Sequence, residues 1–311
     1  MEQSRTDKRF DVFGFGFCAV DELIEVAAFP QPDSKAQVLK HSRHAGGLSM
    51  TALVAAARLG ARAAYWGLLG ENDLSDFIRH SLRREGVAFP DRITRPEALP
   101  VHSWILVDRS SRERIILFSY EGVAELEPEE VQPELIAASG VLMVDHFAPR
   151  ATLRACQLAR RLGVPSVGDF ELLDDDNLVA EVMAHTDHLI LSLDFARQIS
   201  GLAQPAAVVE HLARTARACT AVTGGAQGCW FIEQAQPGLV QRQPAFEVSV
   251  VDTTGCGDVF HGAYAAALAR GMTVPETLRF AAATAAIKAT QLGGQRGIPD
   301  CATVEKFLAQ H

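Results

Sequence analysis

Asp252-Thr253-Thr254-Gly255-Cys256-Gly257-Asp258 joins an extended apolar run ending at Val251 to a helical run from Val259 to Arg270. The helical run is apolar throughout and stops at Gly271, a residue suited to a left-handed C-terminal cap. A helix start leaves backbone N–H groups without intrahelical partners and adds the positive end of the macrodipole. Glycines at 255 and 257 let that backbone approach an anionic group, such as a phosphate in transfer. Asp258 stands at the mouth of this cradle, where a carboxylate can take a proton from a hydroxyl. Taken alone, a Gly-x-Gly-Asp stretch is more often a turn with the Asp as helix N-cap. The rest of the chain shifts that reading.

Near the N-terminus, Gly46-Gly47 precedes a helical run, Thr51 to Arg58, and then Leu59-Gly60-Ala61. Further on stands Val222-Thr223-Gly224-Gly225-Ala226-Gln227-Gly228, and after Asp258 come Phe260 and Gly262-Ala263. In order and spacing these stretches resemble the signatures of the PfkB/ribokinase family of carbohydrate kinases, over roughly residues 11–300. The family's C-terminal signature is Asp-Thr-x-Gly-Ala-Gly-Asp followed by Phe-x-Gly-Ala, and its Thr-x-Gly-x-x-Gly loop lies beside the nucleotide.

The chain has 311 residues, 48% of them hydrophobic and 22% charged, enough to bury a sizeable core. A net charge of −9 with no basic stripe argues against a nucleic-acid partner. Cysteines at 18, 156, 219, 229, 256 and 301 form no Cys-x-x-Cys pair, so the expectation is reduced thiols in a cytoplasmic protein. Met1 to Arg9 lacks the apolar core of a signal peptide, and the apolar stretches are broken well before 18 residues, so no membrane span is expected. Gly14-Phe15-Gly16 lacks the third glycine and following helix of a dinucleotide fold, and no P-loop occurs.

Short apolar strands at 11–18, 141–145, 164–168, 188–192, 219–223 and 229–232 alternate with helices. The helices are expected at 48–59, 74–85, 128–138, 150–162, 205–217, 258–270 and 275–290. This rhythm predicts an α/β fold, a mainly parallel sheet with helices on both faces, and ligands beyond the strands' carboxyl ends. Two stretches break it: residues 19–44, extended on either side of Pro30 and Pro32, and a hairpin at 101–107 and 114–119 around a polar turn, Asp108–Arg112. The resemblance implies a ribokinase-like kinase domain over 10–300, with these insertions (about 19–44 and 99–120) as a small β-sheet lid. The lid would pair with a second subunit's, making a homodimer; residues 301–311 would form a C-terminal helix.

The implied reaction is transfer of the γ-phosphoryl of ATP to a sugar hydroxyl, with Mg2+ neutralising charge. Asp258 carries over as the base, and backbone N–H groups of Gly255, Cys256 and Gly257 as the anion hole. In relatives the residue equivalent to Asp252 helps a monovalent cation site, K+, whose other wall would be Gly293-Gly294-Gln295-Arg296-Gly297; a plain glycine-rich connection is the alternative. Asp21, after the first strand, is placed to hold sugar hydroxyls, because a carboxylate is an acceptor-only, directional anchor; a solvated turn Asp is the other reading. Gly46 and Gly47 would let backbone approach the sugar. Asp145 and His146 end a strand where relatives reach the sugar, and Arg114 lies on the lid, where it would meet a phosphate or sulfonate or simply be solvated. By the same resemblance, Ser192, Thr223, Gly225, Gly228 and Gly294 would fall to the nucleotide.

The chain departs from the family pattern in places. Ribokinase-like members have Gly-Gly-Lys-Gly-Ala-Asn where this chain has Gly46-Gly47-Leu48-Ser49-Met50-Thr51, so Thr51 replaces the sugar-contacting Asn and weakens ribose as substrate. The magnesium-organising Asn-x-x-Glu becomes Ser192-Leu193-Asp194-Phe195, which is similar to the ketohexokinase branch. Metal organisation falls instead to Asp169 and Glu171, unless they merely cap a charged loop. The acidic run Asp174-Asp175-Asp176 reads as a helix start near Asn177, and His261 as a packed helix residue. The expected substrate is a ketose or related furanose; the alternatives are a nucleoside kinase and a catalytically weak sugar-binding or regulatory homologue.

Overall fold

The computed structural model describes residues 8–90, 95–111, 113–173 and 177–311. Asp174-Asp175-Asp176 and Arg112, read above as a helix start and a turn end, lie outside the described residues, as do residues 1–7 and 91–94.

Apolar alternation places one core on each face of an eight-stranded sheet. Its strands are β1 (Phe10–Phe15), β4 (Ala63–Trp66), β7 (Ser139–Asp145), β8 (Ser166–Phe170), β9 (His188–Ser192), β10 (Cys219–Thr223), β11 (Cys229–Glu233) and β12 (Gln241–Gln243), in the order β12-β11-β10-β9-β8-β7-β1-β4. Pairing is parallel from β4 through β10 and antiparallel for β11 and β12. Val12, Val141, Met143, Val167 and Ile190 point to a core shared with α1 (Leu48–Arg58), α2 (Asp73–Arg84), α8 (Cys256–Ala269), α9 (Val274–Ala289) and α10 (Cys301–Leu308). Phe13, Phe15, Leu142, Val144 and Leu191 point the other way, to α3 (Pro133–Ala137), α4 (Pro149–Leu162), α5 (Leu178–His185), α6 (Leu193–Ser200) and α7 (Pro205–Leu212). A parallel sheet covered on both faces needs this two-sided pattern. Strand order reverses at β1, and the crevice beyond the carboxyl ends at such a point is where these sheets take ligands.

A second sheet, in the order β3-β2-β5-β6, is built from β2 (Ala19–Val26), β3 (Lys40–Gly46), β5 (Val101–Asp108) and β6 (Arg114–Ser119). The hairpin expected at 101–119 is β5–β6, and the first broken segment supplies β2 and β3. In register, Asp21 lies beside Ser103 and Ser103 beside Phe118, so these three share one face with Arg114. Trp104, Ile115 and Leu117 share the other, and all three are exposed.

Several expected elements shift. The helix at 128–138 splits into a 3-10 turn (Pro128–Glu130) and α3, because Pro133 has no N–H and holds Gln132 extended. The helix at 205–217 ends at Leu212, leaving chain to enter β10; Arg217 instead reaches the Met183 carbonyl at 2.9 Å. The strand at 164–168 runs 166–170, since Pro165 cannot donate to a ladder. The first strand stops at Phe15, three residues before its expected end. Strands β4 and β12 and helix α6 were not foreseen. Each is short, and four buried residues show no period.

Candidate active site

Helix α8 begins at Cys256, two residues earlier than expected, and its cap is Gly255 at φ +72°, a left-handed conformation that glycine adopts without strain. Asp258 is therefore inside the first turn and not the N-cap. Gly262, one turn on, allows α8 to cross α1 closely: a Cβ there would lie 2.0 Å from the Ala52 carbonyl oxygen. Of the three expected anion-hole donors, Cys256 N–H is already given to Thr253 O at 3.1 Å. That is a correction: the open donors belong to the glycines. A Cβ on Gly257 would meet nothing within 4 Å, so this residue faces free space.

Carboxylates from separate elements converge on this turn. Burial raises the Asp258 carboxyl well above its ordinary range, and the charges of Asp169, Glu171 and Asp21 push it the same way. Asp169, buried at the end of β8, is raised by its burial and by Glu171 and Asp145. His261, on α8, sets Nδ1 2.9 Å from the Gly257 carbonyl oxygen and Nε2 2.9 Å from that of Ile190.

Across the crevice, burial lifts the Asp21 carboxyl to about 6, against a hydrogen bond with Ser103. Gly46 makes room for it, since a Cβ there would sit 2.1 Å from Asp21 Oδ2. Gly47, at φ +94°, packs against the 17–19 backbone, where a Cβ would lie 2.7 Å from Phe17 O. These glycines thus serve the fit of Asp21 and its strand as well as any ligand. Asp145, buried at the end of β7, accepts from Ser49 Oγ at 2.7 Å, Phe17 N at 3.1 Å and Phe147 N at 2.9 Å. Beside it, buried His146 keeps an unpartnered Nδ1 and lies 5.7 Å from the Phe17 ring. Thr51 is buried on α1, with Oγ1 3.3 Å from Gln295 Nε2.

Ser192 and Thr223 pair in register, so the ends of β9 and β10 come together. Ser192 caps α6, its Oγ accepting from Phe195 N at 3.2 Å, and Thr223 Oγ1 donates to Leu191 O at 3.3 Å. Gly225 (φ +55°) and Gly228 (φ +87°) shape the tight β10–β11 turn. Gly294 flanks the cradle: a Cβ on Gly255 would lie 3.0 Å from its carbonyl oxygen. Asp252 uses both oxygens locally, Oδ1 for Thr254 N at 2.8 Å and Oδ2 for Gly293 N at 2.7 Å. Arg114 donates to Thr254 Oγ1, so the small sheet already touches the cradle.

The match to the model of the pfkB family carbohydrate kinases runs over residues 15–301, through both sheets and the cradle. The chain belongs to the pfkB family of carbohydrate kinases. It is 26% identical over 303 residues to a ribokinase of Haemophilus influenzae, covering 94% of this chain and 96% of that one. It is also 26% identical over 300 residues to a fructokinase of Vibrio alginolyticus, covering 90% and 95%. Among solved structures, a putative ribokinase from Agrobacterium tumefaciens superposes with a TM-score of 0.88 at 29% identity, covering 97% and 98% of the two chains.

In this carbohydrate kinase, sequence reasoning missed Ser49, Ser103 and Lys288. The first two are common residues whose partners lie 96 and 82 positions away in sequence. Lys288 did leave a signal, a single charge inside the apolar helical run Ala281 to Ala289.

Proposed function

We propose that this kinase transfers the γ-phosphoryl group of ATP to a hydroxyl of a ketose or related furanose. Residues 10–300 form one catalytic domain, with the small sheet as its lid. The observation that carries the reading is the placement of Asp258 in the first turn of α8, beside the open backbone of Gly257, with the charge of Asp21 reaching its carboxyl. A base must lie between the anion site and the group that positions the acceptor hydroxyl. Asp258 takes the hydroxyl proton as the carboxylate; a cation held by Asp169 and Glu171 would offset the charges that raise it and keep it ionised. The N–H groups of Gly255 and Gly257, with the N-terminal end of α8, receive the phosphoryl charge.

Asp21 holds sugar hydroxyls, and Asp145, bonded to Ser49 and Phe17, fixes the floor on which the sugar rests. His146 Nδ1, buried without a partner, offers a further hydrogen bond to it. Thr51, in place of the ribokinase Asn, accepts from Gln295 and lacks the amide of that Asn, which argues against ribose. The ends of β9 and β10, with Ser192, Thr223, Gly225 and Gly228, hold the nucleotide.

Among the described residues no group of three or more His, Cys, Asp or Glu surrounds one metal position. Mg2+ needs less, because it is held by one or two carboxylates and by substrate phosphates. Asp169, with an oxygen lacking an aligned hydrogen bond, and neighbouring Glu171 fit that need. When bound, the ion neutralises phosphate charge. The exposed Trp104, Ile115 and Leu117 on the outer lid face suit a second copy's lid, hence a homodimer. A panel of sugars, sugar phosphates and nucleosides, assayed for ADP release, tests the reading. Turnover with ketoses is the expected result, and turnover confined to nucleosides would overturn it.

A further inference from the structure

Lys288 is fully buried, near the C-terminal end of α9, and its Nζ lies 3.0 Å from the carbonyl oxygen of Asp252 and donates also to that of Thr254. A buried ammonium is tolerated only where acceptors surround it. Its acceptors here are main-chain carbonyls of the loop that forms the cradle. The Asp252 carboxyl stands against the same charge: its partial burial raises it, but bonds from Thr254 and Gly293 and the Lys288 charge bring it below its ordinary value. Val251 N and Asp252 N both donate to Ala289 O, at 2.8 and 3.1 Å, so the loop is sewn to the helix that carries the lysine.

The family resemblance leads one to expect K+ at this place, between Asp252 and the 293–297 loop. Monovalent cations of that size are held by converging carbonyl oxygens. Here the carbonyls of Asp252 and Thr254 already converge on an ammonium, a cation of the same charge and similar size. A second cation among these oxygens would meet a like charge at contact distance, so the residues present do not fit K+.

We propose that Lys288 is a built-in monovalent cation that replaces K+ and sets the anion hole. The coupling follows from peptide geometry. In a planar trans peptide the C=O and the next N–H point in opposite directions. Drawing Thr254 C=O inward to Lys288 turns the Gly255 N–H outward, toward the phosphoryl group. Lys288 acts through the backbone and is a positioning residue. The proposal rests on the cradle being the anion site, as argued above.

The test compares wild type and Lys288→Met in KCl, NaCl and tetramethylammonium chloride at equal ionic strength, reading kcat, both KM values and Tm. Wild type is expected to give equal kcat in all three salts. Lys288→Met is expected to lose at least tenfold in kcat in tetramethylammonium, with sugar KM unchanged, and to regain rate and Tm with K+ or NH4+. A wild-type enzyme stimulated several-fold by K+ overturns the proposal even where the variant fails to fold. So does a folded variant with full kcat in tetramethylammonium. An enzyme that phosphorylates no carbohydrate in any salt overturns the proposed function instead, which separates the two failures.

Discussion

His261 Nδ1 stands 3.1 Å from Asp169 Oδ2 while both ring nitrogens face main-chain carbonyl oxygens, those of Gly257 and Ile190. Gly257 precedes Asp258, so the ring ties the first turn of α8 to the middle of β9, with the Asp169 carboxylate alongside. His261→Leu, close in volume but without hydrogen bonds, should lower kcat at least tenfold and leave both KM values within about twofold. His261→Asn, which keeps one donor, should recover part of the loss. Equal kcat in His261→Leu and wild type would make the ring a packing residue only.

Asp258→Asn keeps shape and removes the base. We expect kcat to fall by about two to four orders of magnitude while nucleotide binding, measured by calorimetry, is retained. A variant that keeps most of its turnover would take Asp258 out of the chemistry.

Asp21 carries a pH dependence with a definite sign. Its carboxyl titrates at about 6, and the ionised form is the one that accepts hydroxyl protons. Sugar KM should therefore be flat above about pH 7 and climb as pH falls through 6, by up to about tenfold per unit, while the KM of ATP stays level. Because the folded value lies above the unfolded one, ionising Asp21 costs stability as pH rises through this range. Asp21→Ala should raise sugar KM at least tenfold at pH 7.5, since charge-assisted bonds are worth roughly 1.5–3 kcal/mol each. A sugar KM unchanged by the substitution moves the sugar elsewhere.

Chelation by EDTA should abolish turnover, and excess Mg2+ or Mn2+ should restore it. Glu171→Gln, removing the more exposed carboxylate, should raise the Mg2+ concentration needed for half-maximal rate. An unchanged Mg2+ requirement would leave Glu171 without a metal role.

The lid face bearing Trp104, Ile115 and Leu117 should be covered by a second chain, because an uncovered apolar edge invites aggregation. Light scattering is expected to give twice 33.6 kDa for wild type and a monomer for Leu117→Asp. A monomeric wild type would remove the shared lid.

By itself the sequence determined the layered α/β fold, the segments of the small second sheet and the glycine turn before α8. Each of these is written in local pattern: apolar runs of strand length, a 3.6-residue helical period, glycines before a helix start. Asp258 was legible from its motif and Asp21 from the family resemblance, although the structure sets Asp21 inside β2 and not at the end of the first strand. What the tertiary structure decided was which polar groups meet. Asp145 gathers Ser49 and Phe17 from 96 and 128 positions away in the chain, the charge of Asp169 reaches Asp258 because β8 and α8 are neighbours only in space, and the N–H of Cys256 is lost to Thr253 by the tightness of one turn. Lys288 shows the limit most plainly. One lysine in an apolar helix is visible in the chain, but only the crossing of α9 behind the 252–255 loop aims its ammonium at the two carbonyls. Local pattern fixes elements, because backbone preference and burial act over a few residues; charge pairing acts over a few ångströms, and only the folded chain sets those distances.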